Sequence, residues 1–209
     1  YESFNDPEED ISTEITLLTG IENKMVDGKI IDWNEVDELF QGVDIIIAHN
    51  ASFDRAFVDR FSSISPSKVW ACSINDIDWL ERGFTSSKQE LLCYWHGFFF
   101  DAHRAMNDVD ALIHLLTFDT GLERPLLELI KNSNKSEFVI FAEHFKYDPV
   151  KKDILKGNKY RWNPNDKLWF KKVNPDELES EKDWLTATIY NQVFKGRVEE
   201  IIPNNKYKL

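Results

Sequence analysis

The chain has 209 residues, of which 42% are hydrophobic and 13% aromatic, so it is long and apolar enough for one or two folded domains and is not a disordered protein. Its net charge of −12 excludes a general electrostatic attraction to nucleic acid or to an anionic membrane. No apolar run approaches the ~20 residues of a bilayer span, and two cysteines are too few for a disulfide framework. We therefore expect a cytoplasmic protein that does not cross a membrane.

The first two thirds of the chain alternate between predicted strands and helices. Helices are predicted over residues 11–19, 34–41, 51–61, 75–81, 88–95, 104–118 and 123–131, and strands over residues 43–48 and 68–72. We expect Asn34 to cap its helix, and the almost continuously apolar strand 43–48 to be buried on both faces. Phe53, Phe57 and Phe61 recur every four residues and predict the core-facing side of their helix. This alternation predicts an α/β layer with parallel pairing.

The composition changes after residue 134. A strand is predicted over residues 137–145, a helix over 148–156, a hairpin over 160–173 that turns at 163–166, a helix over 175–190 and a last strand over 197–202. We therefore predict two parts, residues 1–134 and a small α+β module over residues 135–209.

The first candidate site follows the predicted strand 43–48, in the segment from His49 to Asp54. A carboxylate just beyond the carboxyl end of a parallel strand lies where α/β sheets usually bind ligands. Asn50 is placed to cap the following helix, and Asp54 falls in the first turn of that helix. Two interpretations of Asp54 stay open: it binds a ligand, or it only complements the helix dipole.

The second candidate site is a carboxylate on the predicted helix 104–118. Asp108 shares one helical stripe with several apolar residues, namely Ala105, Ala111, Leu112 and Leu115. A carboxylate that faces a core is costly unless it is paired or binds a metal. His103 reaches the same place from the loop before the helix, where an imidazole that titrates near neutral pH is suited to act as a base. An ion pair between Asp108 and an arginine, with His103 an ordinary loop residue, is the alternative.

Taken together, two short motifs resemble the DEDDh family of 3′→5′ exonucleases, which includes the proofreading subunit of bacterial replicative DNA polymerases. The matching residues are His49-Asn50-x-x-Phe53-Asp54 and His103-Arg104-Ala105-x-x-Asp108-x-x-Ala111. Further stretches are similar to epsilon-like exonucleases of bacteria, namely residues 18–26, 70–79, 97–98 and 160–170. The resemblance thus extends over most of the chain.

This resemblance implies a ribonuclease-H-like fold and hydrolysis of phosphodiester bonds from the 3′ end of single-stranded DNA with two divalent metal ions, Mg²⁺ or Mn²⁺. It assigns Asp54 and Asp108 as metal ligands and His103 as the general base. It also implies substrate contacts by His49, Asn50, Phe53 and Arg104, and it leaves a DNA polymerase open as a partner. An exoribonuclease of the same superfamily, and a noncatalytic module that binds nucleic acid or a polymerase, are the alternatives.

The chain departs from the family at the first motif, an Asp-x-Glu on an early strand. Glu8-Glu9-Asp10 precedes a loop, and Asp76-Ile77-Asp78 falls on a predicted helix. We therefore expect two of the family's carboxylates to lie outside this sequence, which opens on Tyr1 and is expected to be a fragment or a processed chain.

A basic island interrupts the acidic chain. Residues 146–172 hold nine basic and three acidic side chains. Strand alternation predicts one face with Lys167, Trp169 and Lys171, near Trp162, and another with Leu168 and Phe170. Either these aromatics form the module's core, or the Lys and Trp side chains bind single-stranded nucleic acid.

Overall fold

The computed structural model describes residues 1–118 and 123–208 and divides the chain into two compact units. The first unit comprises Tyr1–Asn134 and the C-terminal residues from Tyr207 on, and the second comprises Lys135–Lys206. Both contain helices and strands, so the chain is of mixed α/β composition. Within residues 1–118 and 123–208, no helix has the length and apolar character needed to cross a bilayer.

The first unit surrounds a pair of parallel strands with helices. In chain order its elements are α1 (Thr13–Thr19), α2 (Asn23–Val26), α3 (Trp33–Gln41), β1 (Ile45–Ala48), α4 (Ala51–Val58), β2 (Val69–Cys72), α5 (Gln89–Trp95), α6 (Ala105–Thr117) and α7 (Pro125–Ser133). Strands β1 and β2 pair in register from Ile45 opposite Val69 to Ala48 opposite Cys72. The parallel pairing confirms the α/β layer expected from the alternation of strands and helices.

The main core of this unit lies among α5, α6, α7 and β2. Leu92, Leu115 and Leu129 are fully buried there. Burial of each leucine contributes about 1.5–3 kcal/mol relative to exposure. Cys72 and Cys93 are also buried thiols, and burial raises the pKa of Cys93 to about 11, which keeps it protonated. Both cysteines therefore act as small apolar residues.

The predicted aromatic core face of α4 is wrong. The helix ends at Val58, and Phe53, Phe57 and Phe61 are 62%, 51% and 60% exposed. Strand β1 is half-buried rather than fully buried, because the described residues pair it only with β2. Hydrophobic periodicity identifies the apolar face of a helix. It does not show whether another part of the protein packs against that face.

Local side-chain hydrogen bonds replace the helix predicted over residues 75–81, where the structure has turns. The Asp76 carboxylate accepts from the Cys72 backbone N–H at 2.8 Å, and the Asp78 carboxylate accepts from the Glu81 backbone N–H at 2.9 Å. Such bonds compete with helical ones. A similar side-chain hydrogen bond sets the start of α3. This helix begins at Trp33 because the Asp32 carboxylate, rather than the Asn34 side chain, accepts from the N–H groups of the first turn.

Residues 1–7, near the N-terminus, form no strand.

The second unit is built on a four-stranded antiparallel sheet. Its elements are β3 (Glu137–Ala142), α8 (Pro149–Gly157), β4 (Arg161–Asn163), β5 (Leu168–Val173), α9 (Leu178–Leu185) and β6 (Arg197–Ile201). The strand order is β4-β5-β3-β6, so the chain's predicted hairpin forms one edge of the sheet. The helix predicted over residues 175–190 contains α9, preceded by a 3-10 turn and followed by one turn of π-helix.

One face of this sheet packs on a core that includes Trp169, Ile140 and Leu185. Trp169 is only 8% exposed, and Lys171 lies on the same face. This face, which carries Trp169 and Lys171, is therefore the face that packs on the core. The Trp169 side chain is buried and cannot stack on a base, so the predicted nucleic-acid contact through these two residues is not available.

Lys171 is held in a buried polar network. Its Nζ lies 2.5 Å from Glu181 Oε2, and the side chains of Lys171 and Glu181 are 19% and 10% exposed. The Tyr160 hydroxyl and the Asn158 amide donate to Glu181 Oε1 at 3.0 and 2.8 Å. Burial beside the Glu181 carboxylate raises the pKa of Tyr160 and keeps it a donor. Each polar group of this network has a hydrogen-bond or ion-pair partner within the unit. Lys171 and Glu181 therefore need no bound ligand to compensate their charges.

Replacing Lys171 by Met should lower the free energy of unfolding by about 1–3 kcal/mol, because Glu181 loses its cation while remaining buried. Lys172→Met is the matched control, since its side chain is 55% exposed and should change stability by less than about 0.5 kcal/mol. Urea unfolding followed by tryptophan fluorescence measures both. Equal stability of the two variants would contradict the network's role.

Candidate functional site

The first site segment lies where β1 runs into α4. Asn50 adopts the left-handed conformation, with φ of 68°, which asparagine tolerates better than most residues. It is the N-cap residue of α4, as predicted, but its side chain makes no cap hydrogen bond. Its carbonyl instead accepts from the Phe53 backbone N–H at 2.8 Å. Asn50 and Phe53 are both exposed beside the carboxyl end of β1.

His49 is fixed by the end of the neighbouring strand. Its Nδ1 lies 2.7 Å from the hydroxyl oxygen of Ser73, which directly follows β2. Because β1 and β2 are parallel, their carboxyl ends bring these two residues together. Burial lowers the pKa of His49 and favours the neutral imidazole. His49 is thus suited to hydrogen bonding rather than to carrying a charge.

Asp54 lies in the first turn of α4 and is half-buried. Burial raises the pKa of this carboxyl above its ordinary value, against the lowering effect of a backbone hydrogen bond. A carboxylate that only complements a helix dipole gains stabilisation of its charged form. For Asp54 the charged form is disfavoured by burial. A cation nearby would offset this desolvation cost.

Asp108 lies in the first turn of α6, where the buried stripe of that helix begins. Ala111, Leu112 and Leu115 are buried as predicted, but Ala105 is exposed, so Asp108 is at the rim of the core rather than inside it. Burial raises the pKa of Asp108, and the charge of Glu90 raises it further. Both candidate metal ligands are therefore carboxyls whose charge is destabilised by their surroundings.

His103 precedes α6 and approaches Asp108 through its backbone. Its backbone N–H donates to Asp108 Oδ1 at 3.4 Å, and its left-handed φ of 68° directs the chain around the carboxylate. The imidazole is half-exposed, and its Nε2 lies 3.7 Å from Glu90 Oε1. This geometry leaves the ring accessible while a carboxylate orients it.

Two residues at the start of α5 complete this corner. The Gln89 amide donates to the Asp108 carbonyl at 2.6 Å, and Glu90 faces His103. Neither lies in a recognisable motif, since their role depends on how α5 packs beside α6. Only a prediction that α5 packs beside α6 could have identified these two residues from the sequence.

Arg104 contacts another part of the first unit. Its Nη2 lies 3.6 Å from the position that a Cβ would take on Gly20, the left-handed residue that ends α1. A cation beside the carboxyl end of a helix is favoured by the partial negative charge there. The position of Arg104 is therefore compatible with a structural role.

Asp54 and Asp108 offer oxygen ligands of the kind that Mg²⁺ and Mn²⁺ prefer. In the part of the chain that the structure describes, however, no three His, Cys, Asp or Glu side chains are grouped to hold a metal ion. The described residues therefore do not form a complete metal site by themselves.

The remaining candidates for nucleic-acid contact are in the second unit. Trp162 is 46% exposed and its ring centroid lies 5.4 Å from that of buried Trp169. Lys167 is exposed at the turn between β4 and β5. Of the four residues predicted on the hairpin, only these two are solvent-accessible enough to meet a ligand.

Comparison with known proteins finds similarity over part of the chain. A DNA polymerase III of the PolC type from Bacillus cereus is 40% identical over 65 residues, which are 28% of this chain and 4% of that polymerase. The chain matches no protein family model and no solved structure. It is therefore similar, over a limited segment, to a bacterial DNA polymerase III of the PolC type.

Proposed function

We propose that the first unit carries part of the active site of a metal-dependent 3′→5′ exonuclease that acts on single-stranded DNA. The observation that carries the proposal is the pair of carboxyls, Asp54 and Asp108, each in the first turn of a helix and each with a pKa raised by burial. They occupy the positions of two exonuclease motifs, and a DNA polymerase is similar to part of the chain. A ribonuclease-H-like arrangement and a polymerase partner belong to the same proposal.

In this proposal Asp54 and Asp108 are metal ligands, and His103 accepts the proton of the attacking water. Glu90, 3.7 Å from the imidazole, orients it. Phe53 offers an exposed ring for the terminal base, and Asn50 offers an exposed amide for the sugar or the phosphate. His49, neutral and bound to Ser73, positions the loop between β1 and α4.

The metal ligands that the described residues do not provide would come from a segment with the family's Asp-x-Glu motif. We call this chain preceded by such a segment the extended protein. A noncatalytic nucleic-acid-binding module is the second candidate, favoured by the lack of a three-ligand cluster in residues 1–118 and 123–208. The extended protein distinguishes the two, because only the enzyme gains activity from the added carboxylates.

The test is a degradation assay on single-stranded DNA labelled at its 5′ end, with the 209-residue chain and the extended protein compared in Mg²⁺, in Mn²⁺ and in excess chelator. We expect the extended protein to shorten the DNA stepwise from its 3′ end in either metal and to stop in chelator. The 209-residue chain should show little or no turnover.

Each alternative has its own outcome in this assay. Full activity of the 209-residue chain would place the first motif within it, and hydrolysis in chelator would contradict the metal requirement. Binding of DNA without hydrolysis by the extended protein would favour the noncatalytic module. A parallel assay on RNA of the same sequence identifies an exoribonuclease.

A further inference from the structure

The second unit has a sheet face that does not belong to its core. The core cluster of this unit lies on the face of Ile140, Ala142 and Trp169. The opposite face carries Phe141 and Phe170, both partly exposed and neither a member of a buried cluster. Two aromatic residues therefore lie on the sheet outside the core cluster, on the face that also carries buried Val139.

Strand register aligns these two rings with two arginines. Arg161 pairs with Phe170, Phe170 with Phe141, and Phe141 with Arg197, so one straight row crosses β4, β5, β3 and β6. Residues directly opposite on neighbouring strands have Cβ atoms about 4.5–5.5 Å apart. The row thus has two aromatic residues directly opposite each other on neighbouring strands, with an arginine at each end. We name these four residues the sheet row.

The charges around the sheet row have both signs and differ in exposure. Arg161 is exposed at the edge strand, and Lys172 is exposed on the same face with its Nζ 3.7 Å from Glu137 Oε2. The Arg197 guanidinium carbon lies 3.9 Å above the Phe141 ring, with Glu199 and Glu143 as ion-pair partners. One ring is therefore already covered by a cation, whereas Phe170 lies between Arg161 and that covered ring.

We propose that the sheet row binds single-stranded nucleic acid, with a base stacked on Phe170 and a phosphate neutralised by Arg161. A single strand has unpaired bases that stack on aromatic rings and a backbone that cations neutralise, and four-stranded antiparallel sheets use paired aromatics in this way. Arg197 stacks on Phe141 in the structure. A second base binds at this ring by displacing the guanidinium, since both groups stack on the same surface.

This proposal is separate from the exonuclease proposal and rests on the second unit alone. It replaces the Lys171 and Trp169 contacts excluded by burial, and it places the nucleic acid on the opposite side of the hairpin. Trp162 and Lys167 form an alternative surface for binding nucleic acid. Trp162 lies beside Trp169, on the side of β4 opposite to Arg161, so this surface does not include the sheet row. The two surfaces make different predictions for single substitutions.

The test is fluorescence anisotropy of labelled oligo(dT) and oligo(U), about ten nucleotides long, titrated with the 209-residue chain in excess chelator. Chelator prevents hydrolysis, so binding is measured whether or not the exonuclease proposal holds. Phe170→Leu should weaken binding by about 5- to 100-fold because it removes a stacking surface while keeping an apolar side chain. Arg161→Gln should weaken binding and reduce the salt dependence by about one counterion.

Matched variants give the comparison. Lys156→Gln removes an exposed charge of α8, and Trp162→Leu removes the competing aromatic ring; both should bind as the unmodified chain does. Thermal melting of every variant checks that it is folded, and Phe141→Leu provides a second aromatic substitution if Phe170→Leu unfolds. Equal loss of affinity in Lys156→Gln and Arg161→Gln would overturn the proposal, as would a loss confined to Trp162→Leu. A difference between oligo(dT) and oligo(U) identifies the preferred nucleic acid.

Discussion

Replacing Asp108 by Asn should abolish the nuclease activity of the extended protein, with a loss on the order of 10³-fold or more. The variant keeps the shape of the side chain but removes a carboxylate that the proposal makes a metal ligand, and metal ions supply several kcal/mol of stabilisation to such reactions. Asp110→Asn is the matched control, because Asp110 is an exposed carboxylate of the same helix. Single-turnover rates at saturating DNA measure both variants.

The same substitution should make the metal-free 209-residue chain more stable at neutral pH. Burial raises the pKa of Asp108 in the folded chain above its unfolded value, so the protonated carboxyl favours folding and the charged form opposes it. This favourable contribution is present below the ordinary carboxyl pKa and is lost as the pH rises through the raised pKa. The neutral amide avoids that loss.

We therefore expect a higher melting temperature for Asp108→Asn than for the unmodified chain at pH 7, and a difference that disappears near pH 3. Calorimetric scans in chelator at both pH values measure it. A variant that loses activity and also melts lower at pH 7 would indicate that Asp108 is a structural residue rather than a ligand.

Replacing His103 by Ala should lower the catalytic rate of the extended protein by about 10²–10⁴-fold and leave DNA binding nearly unchanged, because a general base acts in the transition state. His144→Ala is a close control. Both histidines have left-handed backbone, with φ of 68° and 59°, so alanine meets similar strain at each position. Rates and anisotropy are compared for the two variants.

Comparison of rate and binding in the His103 variant separates a base from a positioning residue. For a base we expect the rate at saturating DNA to fall while the dissociation constant for DNA stays the same. A loss of DNA binding as large as the loss of rate would mean that His103 only shapes the loop before α6.

Local patterns predicted where the candidate site lies but not how it is covered. The parallel pair β1 and β2 follows from a β-branched run and a short apolar run separated by a helix, so the place of Asp54 beyond β1 was predictable. The exposure of Phe53 and Phe57 was not, because periodicity says nothing about which surface packs against a helix. Glu90 was likewise unpredictable, since it meets His103 only through the packing of α5 beside α6.

The hairpin shows the same limit in a strand. Alternation correctly separates Trp169 and Lys171 from Phe170, yet it cannot say which face is buried. The sequence leaves open whether this face forms the core of the module or binds nucleic acid. In the structure it packs on the core, and Glu181 on α9 provides Lys171 with a buried partner ten residues away in the sequence.

The central claim is that Asp54 and Asp108 act in one metal site, and calorimetric titration of the extended protein with Mn²⁺ tests it most directly. Asp54→Asn, Asp108→Asn and the double variant are compared with the unmodified protein. For two ligands of one site we expect each single variant to lose most of the binding and the double variant to lose little more, because the effects are not additive. Unchanged Mn²⁺ binding in either single variant, or losses that simply add, would contradict the shared site.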